Sequence, residues 1–195
     1  MVPPERADDR SVRDARRRRA SPHESARARP IRSPTNRSGD AALTTYPAAT
    51  DDDRRLLRTA IELSRRCPAS DTAFSVGAVV VGATGEVLGT GYSRETDAHV
   101  HAEEAALAKL GTVDVAGATI YSSLEPCGAR ASRPTSCASL IAASGIRRVV
   151  FALREPSLFV EGCGAELLVD AGVEVVELAE LGGEVREVNG HLFGA

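Results

Sequence analysis

From about residue 50 onward, hydrophobic positions recur with the periods of helices and strands. Apolar residues at 56, 57, 60, 61 and 63 fall on one face of a helix. Thr50 and the three aspartates after it favour the amino terminus of that helix, and Pro68 ends the pattern. The runs at 76–81 and 86–92 are rich in strand-forming residues and are separated by a glycine-containing turn, which predicts a hairpin.

After the hairpin, helical and strand patterns alternate to the end of the chain. Strands that are joined through helices pair in parallel, because the chain must cross over the sheet between them. The sequence therefore predicts an α/β fold, a three-layer α/β/α sandwich with a mixed five-stranded sheet. Active groups in such a fold lie where strand ends meet helix starts. The predicted helices are 102–110, 137–143, 165–171 and 181–191, and the further predicted strands are 118–124, 147–153 and 173–178.

The first 45 residues have a different composition. They hold eleven arginines against six acidic residues, a net charge of +5, and few apolar side chains. So little apolar surface does not offset the entropy of ordering a chain, and we expect 1–45 to be a disordered arm ahead of a domain at 46–195. The arm is either a tail without a function, which includes the case that Met1 lies upstream of the true start, or a basic segment that contacts nucleic acid or anionic lipid.

Composition also narrows the class of protein. The 43% apolar share is enough for a core, and no apolar run approaches the roughly 20 residues of a membrane helix. The amino terminus lacks the apolar segment of a secretory signal. Four cysteines without such a signal argue against a disulfide scaffold. We therefore expect a cytoplasmic protein whose cysteines are core residues or metal ligands.

Three residues with metal-binding side chains stand at predicted element boundaries. His101 and Cys137 lie at the starts of predicted helices, and Cys127 lies at a strand-to-helix turn. Helix amino ends stabilise thiolates. One imidazole and two thiolates leave a tetrahedral zinc ion one open position, where a bound water has a pKa of roughly 7. The sequence therefore predicts one Zn²⁺ per chain, held by His101, Cys127 and Cys137.

Glu103 lies two residues after His101 and is suited to be the proton shuttle beside such a metal rather than a ligand. The order His-Ala-Glu, then Pro-Cys, then a second Cys before a helix follows the pattern of zinc deaminases. His99 is an alternative ligand, because it is only two residues from His101. Cys67 and Cys163 have no matching partners, and we expect structural roles or none for them.

Further short stretches accompany this site along the chain. They are Val76-Gly77, Gly91-Tyr92, Leu124-Glu125-Pro126-Cys127, Arg154-Glu155-Pro156, Gly162-x-Gly164 and Ala171-Gly172-Val173. With these stretches, the sequence resembles the cytidine and deoxycytidylate deaminase superfamily from about residue 74 to residue 178. Within that superfamily it is most similar to the riboflavin-biosynthesis domain that deaminates a diamino-ribosylamino-pyrimidinone phosphate, because of the long gap between the cysteines and the later Arg-Glu-Pro stretch.

Four departures from the riboflavin branch concern its substrate pocket. Nine residues separate the two cysteines where the branch usually has eight, and Ala129 stands where it usually has a histidine. Ala73-Phe74 replaces its Asn-Pro, and Glu155-Pro156-Ser157 replaces its Asp-Pro-Asn. The zinc and proton residues match the branch, whereas the residues of substrate recognition match it only in part. The reductase half that often follows in that pathway is expected to be absent.

The resemblance implies hydrolytic deamination, in which Glu103 moves the proton and ammonia leaves. It also implies a homo-oligomer with pockets near the subunit contacts. Glu125 either supports the Pro-Cys turn or is a solvated acid, and Phe74 or Tyr92 is suited to stack on the substrate ring. The strand end that would hold the leaving amine through backbone carbonyls is Ser122, Ser123 and Leu124. The candidate anion clamps, or alternatively residues of a solvated face, are Arg130, Arg133 and Arg154.

Three classes of function follow from these observations. The first is a small-molecule pyrimidine deaminase with a substrate like that of the riboflavin pathway. The second is a deaminase of cytosine or another free base, nucleoside or nucleotide, including one that serves specialised metabolism. The third is a nucleic-acid editing deaminase or a noncatalytic zinc domain. Residues 46–195 carry a net charge of −8, which disfavours a nucleic-acid partner, and nothing suggests a membrane partner.

Overall fold

The computed structural model describes residues 49–155 and 163–193. The predicted arm at 1–45 lies outside the described residues, as do Pro156, Ser157 and Gly162. Within the described ranges, the strands are β1 (Gly77–Val81), β2 (Val87–Tyr92), β3 (Thr119–Leu124), β4 (Arg148–Leu153) and β5 (Glu174–Glu177). The α-helices are α1 (Asp51–Ser64), α2 (Ala102–Ala108), α3 (Cys137–Ser144), α4 (Gly164–Asp170) and α5 (Gly182–Val188).

The five strands form one mixed sheet in the order β2-β1-β3-β4-β5. Strand β1 is antiparallel to both β2 and β3, with Val79 opposite Thr90 on one side and Tyr121 on the other. Strands β3, β4 and β5 are parallel, because each pair is joined through a helix. The mixed five-stranded sheet predicted from the sequence is therefore confirmed.

Helices cover both faces of the sheet, and two glycines let them approach closely. A Cβ atom on Gly77 of β1 would lie 2.1 Å from the Ala60 carbonyl oxygen of α1. A Cβ atom on Gly91 of β2 would lie 2.3 Å from the Ala102 carbonyl oxygen of α2. Gly91 pairs with Ala78, the neighbour of Gly77, so the two glycines point to opposite faces. The three-layer arrangement is therefore confirmed.

Helix α1 begins as its sequence predicts and is tied to the sheet by its cap. Thr50 and Asp53 form a capping box, in which each side chain accepts from the other's backbone N–H. The buried Asp53 carboxylate also accepts from the Tyr121 hydroxyl at 2.9 Å and from the Arg148 guanidinium at 2.7 and 3.1 Å. Burial raises the pKa of Asp53, but Arg148 and the cap hydrogen bonds hold it well below its usual range. The cap thus joins α1 to β3 and β4.

The carboxyl-terminal segment differs from its prediction. Instead of one helix over 181–191, the chain forms a 3₁₀ turn at Ala179–Leu181, helix α5, and a second 3₁₀ turn at Gly190–Leu192. The break falls at Asn189, which is fully buried. Its side chain accepts from the Ser75 N–H at 2.7 Å and donates to the Ser75 carbonyl at 3.1 Å. These tertiary hydrogen bonds, which pattern analysis does not detect, end the helix.

Within the part of the chain that the structure describes, none of the helices has the length and apolar character that a bilayer crossing requires.

Candidate active site

The structure brings the three predicted metal ligands together at one end of the sheet. His101 is the N-cap of α2, Cys137 is the first residue of α3, and Cys127 lies in the loop after β3. The His101 Nδ1 atom is 3.6 Å from Cys127 Sγ and 3.5 Å from Cys137 Sγ. The three candidate ligand atoms all lie within 4.8 Å of one another.

This spacing fits a zinc ion. With Zn–S bonds of about 2.3 Å and Zn–N bonds of about 2.0 Å, tetrahedral geometry requires a nitrogen-to-sulfur separation of about 3.5 Å. Both observed separations from His101 Nδ1 match that value. The exposed His99 lies outside this group of ligand atoms, so the alternative of His99 as the ligand is not supported by the geometry.

The electrostatics of the two thiols also suit a cation. A hydrogen bond from the Cys137 thiol lowers the pKa of Cys127 to about 4, and the His101 ring adds to this effect against the opposing effect of burial. The same hydrogen bond and the burial of Cys137 raise the pKa of the Cys137 thiol. Because a bound cation favours the thiolate form, two buried sulfur atoms held this close together suit a divalent metal ion.

Glu103 is buried next to this group. The residue is 3% exposed, and its Oε1 accepts from the Ser122 hydroxyl of β3 at 2.7 Å. Burial raises the pKa of the Glu103 carboxyl, although His101 and the Ser122 hydroxyl oppose the shift. A buried carboxyl with a raised pKa that is held in this way is positioned both to accept and to return a proton.

A cavity of about 460 Å³ opens onto His101, Glu103 and Cys127. Of the residues that the sequence nominated for substrate contacts, Phe74, Leu124 and Arg130 line this cavity. The Phe74 ring packs against the ring of Phe193, with the ring centres 5.9 Å apart. The cavity is large enough for a heterocyclic ring with a substituent.

The other nominated residues do not line the cavity. Ser122 bonds to Glu103, and the Ser123 hydroxyl accepts from the Gly77 N–H at 3.1 Å, so both hold the structure behind the site. The Arg66 guanidinium lies over the Tyr92 ring, with 5.1 Å between the guanidinium carbon and the ring centre.

All three candidate arginines are paired with carboxylates. Arg130 Nη1 lies 3.0 Å from Glu104 Oε2. Arg133 pairs with Asp97 at 2.7 Å and with Glu104 at 3.3 Å. Arg154 pairs with Glu166 at 3.0 Å and with Glu177 at 3.2 Å, away from the cavity.

The two sequence alternatives for Glu125 are resolved by its surroundings. The residue is 3% exposed, and its carboxylate accepts from the Ala165 N–H at 2.9 Å and the Glu155 N–H at 3.1 Å. It therefore joins the turn that carries Cys127 to the end of β4 and to the start of α4. It is not a solvated acid.

Two further residues line the cavity: Glu155, which the sequence places among the departures that concern the substrate pocket, and Arg94, which the sequence did not indicate. The Glu155 carboxyl lines the cavity, and burial, together with the charges of Cys127 and Glu103, raises its pKa to about 7. Arg94 has a left-handed backbone with φ of 64°, and its guanidinium donates to the Phe74 carbonyl at 2.9 Å. Glu155 belongs to a quoted motif, which is a signal in the sequence. Arg94 has none, because its role depends on the loop conformation.

Comparison with known proteins identifies a family match. A family model described as the cytidine and deoxycytidylate deaminase zinc-binding region matches residues 50–153, more than half of the chain. The chain is 41% identical over 122 residues to a diaminohydroxyphosphoribosylamino-pyrimidine deaminase of Schizosaccharomyces pombe, which covers 60% of this chain and 30% of that protein. It is 37% identical over 142 residues to the riboflavin biosynthesis protein RibD of Aquifex aeolicus, which covers 72% of this chain and 38% of that protein. The chain thus spans well under half the length of these curated relatives.

Solved structures agree with the predicted fold class. The diaminohydroxyphosphoribosylaminopyrimidine deaminase/5-amino-6-(5-phosphoribosylamino)uracil reductase of Thermotoga maritima superposes with a TM-score of 0.63 at 33% identity, over 70% of this chain and 39% of that one. A C-terminal deletion mutant of the Aspergillus oryzae Rib2 deaminase superposes with a TM-score of 0.57 at 26% identity, over 72% of this chain and 98% of that one.

Proposed function

Since the chain belongs to the cytidine and deoxycytidylate deaminase family, we propose that it removes an exocyclic amine from a pyrimidine-type small molecule as ammonia. Zinc is its cofactor, and His101, Cys127 and Cys137 are the residues proposed to hold the ion. The observation that carries the proposal is the convergence of these three side chains beside the buried Glu103.

The chemistry divides between the metal and the chain. Bound zinc supplies a water whose pKa is lowered to about 7, so that it is a nucleophile at neutral pH. Glu103 accepts one proton from water and delivers it to a ring nitrogen. It then takes the proton of the hydroxyl that has added to the ring carbon and gives it to the departing amine, so that water and an amino group become a carbonyl and ammonia. Ser122 holds the Glu103 carboxyl in place at 2.7 Å. Phe74 and Leu124 line the space that receives the ring and exclude water from it.

The proposed substrate is a phosphorylated aminopyrimidine like that of the riboflavin pathway. The names of the relatives in Schizosaccharomyces pombe and Aquifex aeolicus support this choice. A second candidate is cytosine or another free base, nucleoside or nucleotide. Two observations favour it: Ala129 stands where the riboflavin branch usually has a histidine, and Arg154 pairs with carboxylates away from the cavity.

The function is tested with zinc-loaded protein and a panel of pyrimidine bases, nucleosides, nucleotides and the riboflavin intermediate, with ammonia release as the readout. We expect Glu103→Gln to lower kcat by about 10²–10⁴-fold while the zinc content stays at one ion per chain. The matched control is Glu166→Gln, which changes an exposed carboxylate far from the cavity. Full activity of Glu103→Gln, or no ammonia from any compound with the wild type, would contradict the proposal.

The proposal extends to the setting of the enzyme. Zinc-binding thiols must stay reduced, which supports a cytoplasmic location. The net charge of −8 over 46–195 supports a small molecule rather than a nucleic acid as the partner. We also propose that 1–45 is a disordered arm and that the domain at 46–195 assembles as a homo-oligomer. Light scattering of the full chain and of a variant lacking 1–45 tests the assembly, and a monomer in both would contradict it.

A further inference from the structure

The loop between the two cysteines, residues 128–136, is bound to α2 by a group of charges that the proposed chemistry does not use. Glu104 of α2 contacts two arginines of this loop at once. Its Oε2 is 3.0 Å from Arg130 Nη1, and its Oε1 is 3.3 Å from Arg133 Nε. Arg133 then reaches Asp97 in the preceding loop, with an Nη2-to-Oδ2 distance of 2.7 Å. We call these four residues the Glu104 cluster.

The central pair of the Glu104 cluster, Arg130 and Glu104, is largely shielded from solvent, whereas Asp97 at its edge is exposed. The Arg130 side chain is 5% exposed and that of Glu104 is 22% exposed, unlike the surface ion pairs of this protein. The contacts to Glu104 are ion pairs rather than aligned hydrogen bonds, since Glu104 Oε2, Arg130 Nη1 and Arg133 Nε lack hydrogen-bond partners. A charge buried in this way is destabilising once its counter-charge is removed. Arg130 therefore depends on Glu104.

The Glu104 cluster also sets the shape of the cavity. Loop residues 129–132 line one side of it, and residues 98–100 line another. The loop ends are held at Cys127 and Cys137, where the Cys137 N–H donates to Cys127 Sγ at 3.4 Å. Between those ends, Arg130 Nε donates to the Thr135 carbonyl at 2.9 Å, and the ion pairs with Glu104 and Asp97 tie the middle of the loop to α2 and to the loop before it.

We propose that Glu104 is a positioning residue that holds the inter-cysteine loop as a wall of the cavity and thereby determines how tightly the substrate ring is bound. This inference rests on the proposed function for the identity of the ligand. It assigns Arg130 and Arg133 to the wall, with their charges satisfied by Glu104 and Asp97, and not to the binding of a substrate anion. Glu104 acts through the arginines and touches neither the metal ligands nor the substrate.

The first test compares Glu104→Gln with Glu95→Gln. Both remove a carboxylate charge that is paired with a basic side chain, but Glu95 pairs with Lys109 at 2.7 Å outside the cavity. We expect Glu104→Gln to raise amide hydrogen exchange of the 128–136 peptide about tenfold in the zinc-loaded protein, and to leave zinc content unchanged. We expect KM for the aminopyrimidine that the wild type turns over to rise about tenfold while kcat changes less than threefold. Glu95→Gln should leave all of these values unchanged.

The second test adds Arg130→Met to Glu104→Gln. Because the penalty comes from an unpaired buried guanidinium, the double variant should recover KM to within about threefold of wild type and restore slow exchange of the loop. In the opposite role, Arg130 would bind a substrate anion and Glu104 would compete with that anion for the guanidinium. In that case Glu104→Gln would lower the KM for a phosphorylated substrate, and Arg130→Met would raise it.

Unchanged exchange of the 128–136 peptide in Glu104→Gln overturns the positioning role whatever the enzyme does, and so does the reverse order of KM values. The exchange measurement needs no substrate. It therefore separates failure of this inference from failure of the proposed deaminase function, which would appear as an absence of ammonia release by the wild type.

Discussion

Replacing the buried Glu125 with glutamine should destabilise the fold, because its carboxylate accepts two backbone hydrogen bonds. In the wild type, the buried carboxylate accepts from the Ala165 N–H at 2.9 Å and from the Glu155 N–H at 3.1 Å. A glutamine at this position retains one oxygen, so its amide nitrogen faces the second N–H donor. A buried donor left without an acceptor costs about 1–3 kcal/mol, and the remaining hydrogen bond loses the benefit of a charged acceptor, about 1 kcal/mol more. We therefore expect Glu125→Gln to lower the free energy of unfolding by about 2–4 kcal/mol.

The assay is urea unfolding of the zinc-loaded protein, followed by far-UV circular dichroism, with the slope m compared between variants. Because Glu125 supports the turn that carries Cys127, we also expect about 10–100-fold weaker zinc binding, measured by competition with a chelator. Glu166→Gln is the matched control on α4, since that carboxylate is exposed, and its unfolding midpoint should not change. If Glu125→Gln is within about 0.5 kcal/mol of wild type at equal m, the two buried donors need no charged acceptor, and the expected loss of stability is wrong.

Three further predictions follow from the buried charges and the close helix contact. Asp53→Asn should lower the free energy of unfolding by about 2–4 kcal/mol at pH 7, because it removes the buried carboxylate that pairs with Arg148. Because the folded-state pKa of Asp53 is lowered, this difference between variant and wild type should shrink in urea titrations as the pH falls below about 4. An equal loss of stability at pH 3 would contradict this prediction. Glu155→Gln should stabilise the protein at pH 8, because the folded-state pKa of Glu155 of about 7 lies above the unfolded value and the charged carboxylate is disfavoured in the fold. The expected gain in the free energy of unfolding is about 1–2 kcal/mol after allowance for solvent screening, and it should vanish below about pH 4.5. A gain that does not depend on pH would argue against burial of the charge as its cause. Gly77→Ala should lower Tm by at least about 5 °C, since the new methyl group meets the Ala60 carbonyl, and an unchanged melting curve would show that α1 moves away freely.

The order of elements and the zinc and proton residues could be predicted from the sequence because their signals are local. Strand-forming runs, the capping residues at Thr50 and the spacing of apolar positions each depend on a few neighbouring residues. His101 and Cys137 lie at helix starts, which the sequence marks, and the crossovers of a parallel sheet bring such starts to one edge. Local signals in the sequence are therefore sufficient to predict that His101, Cys127 and Cys137 come together.

The pairing of charges could not be predicted in this way. Arg130, Arg133 and Arg154 have the same side chain and the same predicted role, yet each is engaged by carboxylates from another part of the chain. The effect of such pairing depends on distance and burial, which vary independently of spacing along the sequence.

Local sequence patterns thus predict the three layers, the mixed five-stranded sheet and the groups that we propose carry out the chemistry. Three features depend on groups that folding brings together: the two N–H donors around the buried Glu125, the end of α5 at Asn189, and the carboxylate partners of Arg130. The reason is physical: periodicity and capping are short-range properties of the backbone, whereas the protonation and partner of a side chain are set by the groups that folding brings around it.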